Sequence, residues 1–301
     1  MFESAPNKQQ GSALHPPGAI IAPGPRNTIL FFIFIQALIS IAILIKSIAK
    51  NRIQNMNEPQ TNETINTSDP LQELIERAAI FRLLAHGFTY PQEGNRQLLA
   101  TAMRNMSYHA GVANSPWMEM ISAWEECNDE LLSQEYMRLF MGSAPCSLHE
   151  TAYGDGQRLA GKPREMADIR GFYKAFAMTL SEEEPTPPDH LATELEFYSV
   201  LLLKQAYALE EGWQEPLEIT EDAARKFLEQ HLGRWVKAFA AGMLEQNATP
   251  AYLLLAETTA AVLHTESERL NVHPELLSGR IVGDVMQEDA LICPRDLSAP
   301  E

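Results

Sequence analysis

PPDHLATELEFYSVLLLKQAYALEEG, residues 187–212, is the stretch on which the fold turns. Leu191, Leu195, Tyr198, Leu202, Ala206 and Leu209 recur at steps of four, three, four, four and three, the spacing that lines one face of an α-helix. Two prolines and Asp189 precede the run and Gly212 follows it, so a helix is predicted from about Pro187 to Gly212. Asp189 is expected to cap it, which would contribute about 0.5 to 2 kcal/mol.

The same grammar extends in both directions. Asp69, Pro70 and Gln72 read as a cap, a helix-opening proline and a capping-box partner for a helix ending at His86-Gly87. Further helices are expected over Gly94 to Ser107, from Pro116 toward Leu132 and on to Phe140, from Glu165 through Phe176, from Thr220 to Gln246, and from Thr249-Pro250 to about Leu270. Residues 142–164 hold four glycines and two prolines and read as a long loop, ordered or flexible. No alternating run with turn residues occurs, so the fold class is all-α, a single helical domain over residues 56–280 with a tail at 281–301.

The N-terminal 55 residues differ in kind. Residues 1–28 are rich in Pro, Gly, Gln and Asn and read as disordered. Ile29 to Ile45 is apolar apart from Gln36 and Ser40, and as a helix would be about 26 Å long, just short of a hydrocarbon core of about 30 Å. Two readings stand: a membrane anchor with the body on the cytoplasmic side, or an over-extended start with the working protein beginning at Met56. The second is preferred. Residues 1–55 carry five bases against one acid, so a chain of net charge −17 has a body of −21 beyond them. That excludes a nucleic-acid backbone as the main partner and suits a basic client. Three widely spaced cysteines exclude a disulfide framework.

Enzyme chemistry finds little support. Gly161-Lys162 runs into Pro163, which cannot donate to a phosphate, and Gly154-Asp155-Gly156 follows no strand. Cys146-x-x-His149 has ligand spacing but no second pair, and His190 with Glu194 lacks matching ligands on other helices. Neither a catalytic residue nor a resident metal is therefore expected. His190 remains the residue without a structural reason, at a helix head downstream of Glu182, Glu183 and Glu184.

Three elements in order resemble the TorD/DmsD/NarJ group of redox-enzyme maturation chaperones. They are Glu135-Tyr136-Met137-Arg138-Leu139-Phe140 with the loop from Gly142 to Tyr153, Pro188-Asp189-His190-Leu191 with Glu194 to Phe197, and His231-Leu232-x-x-Trp235 with Phe239. The loop departs from the commonest pattern and is closer to chaperones of type II enzymes of the dimethyl sulfoxide reductase family. The resemblance implies a cytoplasmic, non-catalytic protein that binds the apo catalytic subunit of a molybdenum oxidoreductase, often through its twin-arginine signal peptide. It further implies that the client is held open for its molybdopterin guanine dinucleotide cofactor, contacted at most transiently, and that export is delayed. A homodimer by helix exchange fits the group.

In that reading Asp189, His190, Glu194 and the three-glutamate run would meet the basic head of a leader, and Tyr136, Phe140, Tyr153 and Phe197 would line a groove for its apolar middle. Core packing is the competing reading for Phe140, Phe197 and Trp235, and is preferred there; for Tyr153 contact is preferred. The alternative function is a membrane-anchored assembly subunit using Ile29 to Ile45. A helical enzyme with a metal at His190 and Glu194 is the third.

Overall fold

A computed structural model describes residues 69–109, 116–142, 144–154, 156–178 and 186–279. The segments at 1–55, 181–185 and 281–301, with the apolar run Ile29 to Ile45, lie outside the described residues, and from Asp69 on those residues fall in one unit spanning Thr67–Glu301. Among them every regular element is helical: α1 Pro70–Gly87, α2 Asn95–His109, α3 Pro116–Glu126, α4 Asp129–Phe140, α5 Gly156–Ala175, α6 Leu191–Glu210, α7 Gln214–Phe227, α8 Gly233–Glu245 and α9 Pro250–Leu270. None of these is long and apolar enough to cross a membrane.

Helix α6 is the central element. Its buried set runs past the predicted stripe to Ala192, Thr193, Glu194, Phe197, Ser199 and Gln205, because α1 covers one side and α7 another, whereas Leu209 at its end is exposed. Small residues let α1 and α6 approach closely, and at the crossing the Ser199 hydroxyl donates to the Ala78 carbonyl at 2.7 Å. Tyr198 donates to Glu266 of α9 at 2.9 Å, and Arg77 of α1 forks onto the same carboxylate, which ties α1, α6 and α9 together.

Several boundaries differ from the sequence reading, each for a local reason. Asp69 does cap α1, accepting from Leu71 N at 3.2 Å, but Gln72 donates forward to Glu76 at 2.8 Å instead of completing a capping box. The segment from Pro116 to Phe140 is two helices, because the Asn128 side chain accepts from Leu131 N at 2.8 Å and starts α4 afresh. Helix α5 begins at Gly156 rather than Glu165 and carries Pro163 inside, so the loop ends at Gly154. Helix α7 starts at Gln214, and Leu228–Leu232 form a π-helical turn between α7 and α8 where one continuous helix was expected. At Gly233, just after that turn, a Cβ would stand 2.5 Å from the Leu228 carbonyl oxygen and 2.7 Å from Pro274 Cγ, so only glycine fits.

Candidate functional site

The loop before α5 is held against the head of α6 by backbone and side chain together. Leu191 N donates to Leu148 O at 2.8 Å and Glu150 N to Asp189 O at 2.9 Å, an isolated antiparallel bridge pairing His149 with His190. Asp189, 1% exposed, does not cap α6. Its Oδ2 accepts from the Thr151 hydroxyl at 2.6 Å and its Oδ1 lies 3.2 Å from His149 Nδ1, so it pins the loop. The cap is His190, whose Nδ1 accepts from Ala192 N at 3.2 Å, which supplies the structural reason that the sequence lacked. Acceptance requires the unprotonated nitrogen. Burial, reinforced by the charge of His149, lowers the His190 pKa to about 4 and keeps the ring neutral.

Pinning the loop carries Glu150 into the interior, where it is fully buried against the π turn. His231 Nδ1 lies 3.2 Å from Glu150 Oε2 and its Nε2 3.2 Å from Asp168 Oδ2 on α5. Burial favours the neutral ring, but the hydrogen bonds and charges of Glu150 and Asp168 outweigh it and raise the His231 pKa. Glu194, also fully buried, accepts from Trp235 Nε1 at 3.1 Å. Burial and then the charge of Glu150 push its carboxyl well above the usual range, the Trp235 bond opposing, so the proton is retained far more readily than in water. Tyr173 donates to Pro188 O at 2.6 Å and completes the enclosure.

The sequence-predicted residues divide into two groups. Asp189, His190, Glu194, Phe197 and Tyr153 gather at the head of α6 behind the loop. Phe197 is fully buried between Tyr173 and Phe227, with ring centroids 4.7 and 4.8 Å away. Tyr153, for which contact was expected, is also buried: it stacks on Trp235 at 5.2 Å and donates to Ser147 O at 2.7 Å. Tyr136 and Phe140 on α4 pack instead with Tyr252 and Phe239. Trp235 and Phe239, 6.0 Å apart, link the two groups into one aromatic line. Glu182, Glu183 and Glu184 lie outside the described residues.

Beside the acid–histidine cluster opens a cleft of about 980 Å³ between α5 and α8, lined by Arg164, Glu165, Asp168, His231, Arg234 and Glu275 among others. Asp168 shows 61% of its side chain to solvent there, while His231 forms part of the inner wall. Among the described residues the ligand atoms grouped within 4.8 Å of one another are those of Glu150, Glu165 and His231, not those of His190 with Glu194 or Cys146 with His149. Glu150, Asp168 and Glu165 were not singled out from sequence. The available signal was His231 itself, a histidine four residues before Trp235 on an apolar helix face, which must find a carboxylate once buried.

Residues 103–241 match a family model described as nitrate reductase delta subunit. The chlorate reductase assembly chaperone protein of Ideonella dechloratans is 32% identical over 149 residues, 48% of this chain and 74% of that protein. The selenate reductase assembly chaperone protein of Thauera selenatis is 36% identical over 113 residues, 36% of this chain and 56% of that one. Chaperone protein TorD of Vibrio cholerae is 28% identical over 142 residues, 46% and 62% of the two chains. These relatives are named as chaperones and not as enzymes.

Proposed function

Because the chain belongs to the TorD/NarJ family of assembly chaperones, we propose that it serves in the cytoplasm as the dedicated chaperone of a molybdenum oxidoreductase. It binds the apo catalytic subunit and its twin-arginine signal peptide, keeps that subunit open for insertion of the molybdopterin guanine dinucleotide cofactor, and holds back export until insertion is done. The chaperone supplies no chemistry of its own.

The observation that carries this reading is the meeting of two of the three family-like elements with the loop of the other, at one cleft. The loop from Ala144 to Gly154 is fastened to Pro188-Asp189-His190-Leu191 by the bridge and by Asp189, and Glu150 from that loop meets His231 of the third element. A leader has a basic head and an apolar middle. For the head, the cleft offers the exposed carboxylate of Asp168 and, on its other rim, Glu275, whose side chain is 90% exposed. Tyr153, Asp189, Glu194 and Phe197 act from behind that surface, fixing its shape, while half-buried His190 caps α6 and Phe140 with Tyr136 packs against Phe239 and Tyr252. The body charge of −21 draws a basic peptide toward it from a distance.

Calorimetric titration of the purified chain with synthetic twin-arginine leaders of its own organism's oxidoreductase subunits tests the proposal. One leader is expected to bind with micromolar or tighter affinity that weakens as salt rises, and its twin-lysine version more weakly. Absence of binding by every such leader contradicts the leader-binding reading.

A further inference from the structure

Beside the protein-binding role stands a second site. We propose that Glu150, Glu165 and His231 form a binding site for one first-row divalent cation, of the Zn²⁺ or Mn²⁺ class, at the inner wall of the cleft between α5 and α8. The three residues bring one imidazole nitrogen and two carboxylate oxygens to within 4.8 Å of one another. Only a small closure separates that spacing from ligands about 2.0 to 2.2 Å from a shared metal.

The arrangement around the three residues is that of a metal site and not of a loose acidic surface. His231 turns Nδ1 to Glu150 and Nε2 to Asp168 at 3.2 Å each. A ligating histidine characteristically donates its other ring N–H to a carboxylate, which fixes its tautomer and aims its lone pair, and Asp168 stands where that partner belongs. An independent observation comes from α6. Glu194 is fully buried beside Glu150, whose charge bears on it. Its Oε2 accepts from Trp235, and its Oε1 is buried without a hydrogen-bond partner. A buried oxygen with an open lone pair beside a second buried carboxylate is a place where positive charge, as a proton or as a cation, is favoured. His231 lies on the π turn and meets Asp168 of α5 from there, and such turns are frequent at functional sites. The cleft supplies an entry path from solvent.

The donor set excludes some cations. Calcium and magnesium prefer oxygen alone, and a thiolate-seeking ion finds no sulfur among the three ligands, so nitrogen with carboxylate favours a first-row divalent metal over either.

The test uses the full chain, stripped with chelator and dialysed, then titrated separately with MnCl₂ and ZnCl₂ by calorimetry, with thermal melting alongside. The expected result is one cation per chain at micromolar or tighter affinity, a raised melting temperature on loading, and at least a tenfold loss of affinity in Glu165→Gln. Glutamine keeps the size and polarity of the Glu165 side chain on helix α5, so that variant is expected to keep the helical circular-dichroism spectrum of the parent. His231→Gln is the second variant and is expected to abolish the site. Absence of binding by both cations up to 1 mM (about a thousandfold above the expected affinity) overturns the proposal. So does binding that is unchanged in both variants, which would assign it to surface groups elsewhere.

Discussion

Replacing Asp189 by alanine removes the post that holds the loop against α6, and its cost can be worked from the contacts. The carboxylate accepts from the Thr151 hydroxyl at 2.6 Å and faces His149 Nδ1 at 3.2 Å. Burial alone would raise its pKa, but those two hydrogen bonds, with the charges of His149 and Lys162, lower it instead, so the folded protein favours the ionised form. Hydrogen bonds to a charged group contribute about 1.5 to 3 kcal/mol each, and the His149 bond is long and half-exposed, so about 3 kcal/mol in total is expected. Asn in place of Asp keeps an acceptor for Thr151 and should cost about 1 to 2 kcal/mol. The sign with pH follows from the lowered pKa: the contribution is complete above the ordinary carboxylate pKa and is lost as pH falls through the folded value. The gap between the parent and Asp189→Asn should therefore narrow at about pH 3. Urea unfolding followed at 222 nm is the assay. A loss below about 0.5 kcal/mol for Asp189→Ala at pH 7 would refute the assignment of Asp189 as the loop's anchor.

Phe197→Ala should cost about 3 to 5 kcal/mol in the same assay, because the ring is wholly enclosed between Tyr173 and Phe227, and a cost under about 1 kcal/mol would place it outside the core. Gly233→Ala should lower the melting temperature, although alanine normally stabilises a helix by about 1 kcal/mol over glycine, because its Cβ would press on the Leu228 carbonyl. An unchanged or higher melting temperature would show that the turn can yield. Burial and then the charge of Arg82 lower the His86 pKa to about 4, so the unfolded chain takes up this proton first and stability drains away between pH 6.5 and about 4. His86→Gln should lose about 2 kcal/mol less than the parent between pH 7 and 5, and parallel pH profiles would count against that account.

Much of the architecture was legible because helix periodicity and punctuation are local. The stripe from Leu191, the Asp69-Pro70 start of α1 and the Thr249-Pro250 start of α9 could be read without knowing their neighbours, and each is there. What escaped reading depends on tertiary contact. Glycine and proline density hid the first turns of α5, since propensity cannot register the contacts that support a helix through Pro163. The π turn leaves an apolar spacing close to that of a plain helix. Asp189 and His190 were correctly seen as special but exchanged roles: the histidine caps, and the aspartate reaches 38 residues back in sequence to Thr151. The cluster of Glu150, Glu165, Asp168 and His231 joins three separate stretches, and no spacing within one of them announces it.

The central claim, that this chain escorts a reductase catalytic subunit, is tested most directly by isolating the native protein from its own organism and identifying by mass spectrometry what travels with it. The account predicts a molybdenum oxidoreductase catalytic subunit that lacks its cofactor and still carries its leader peptide. Reproducible recovery of the chain without any such subunit, or with only the mature, cofactor-loaded enzyme, would contradict it.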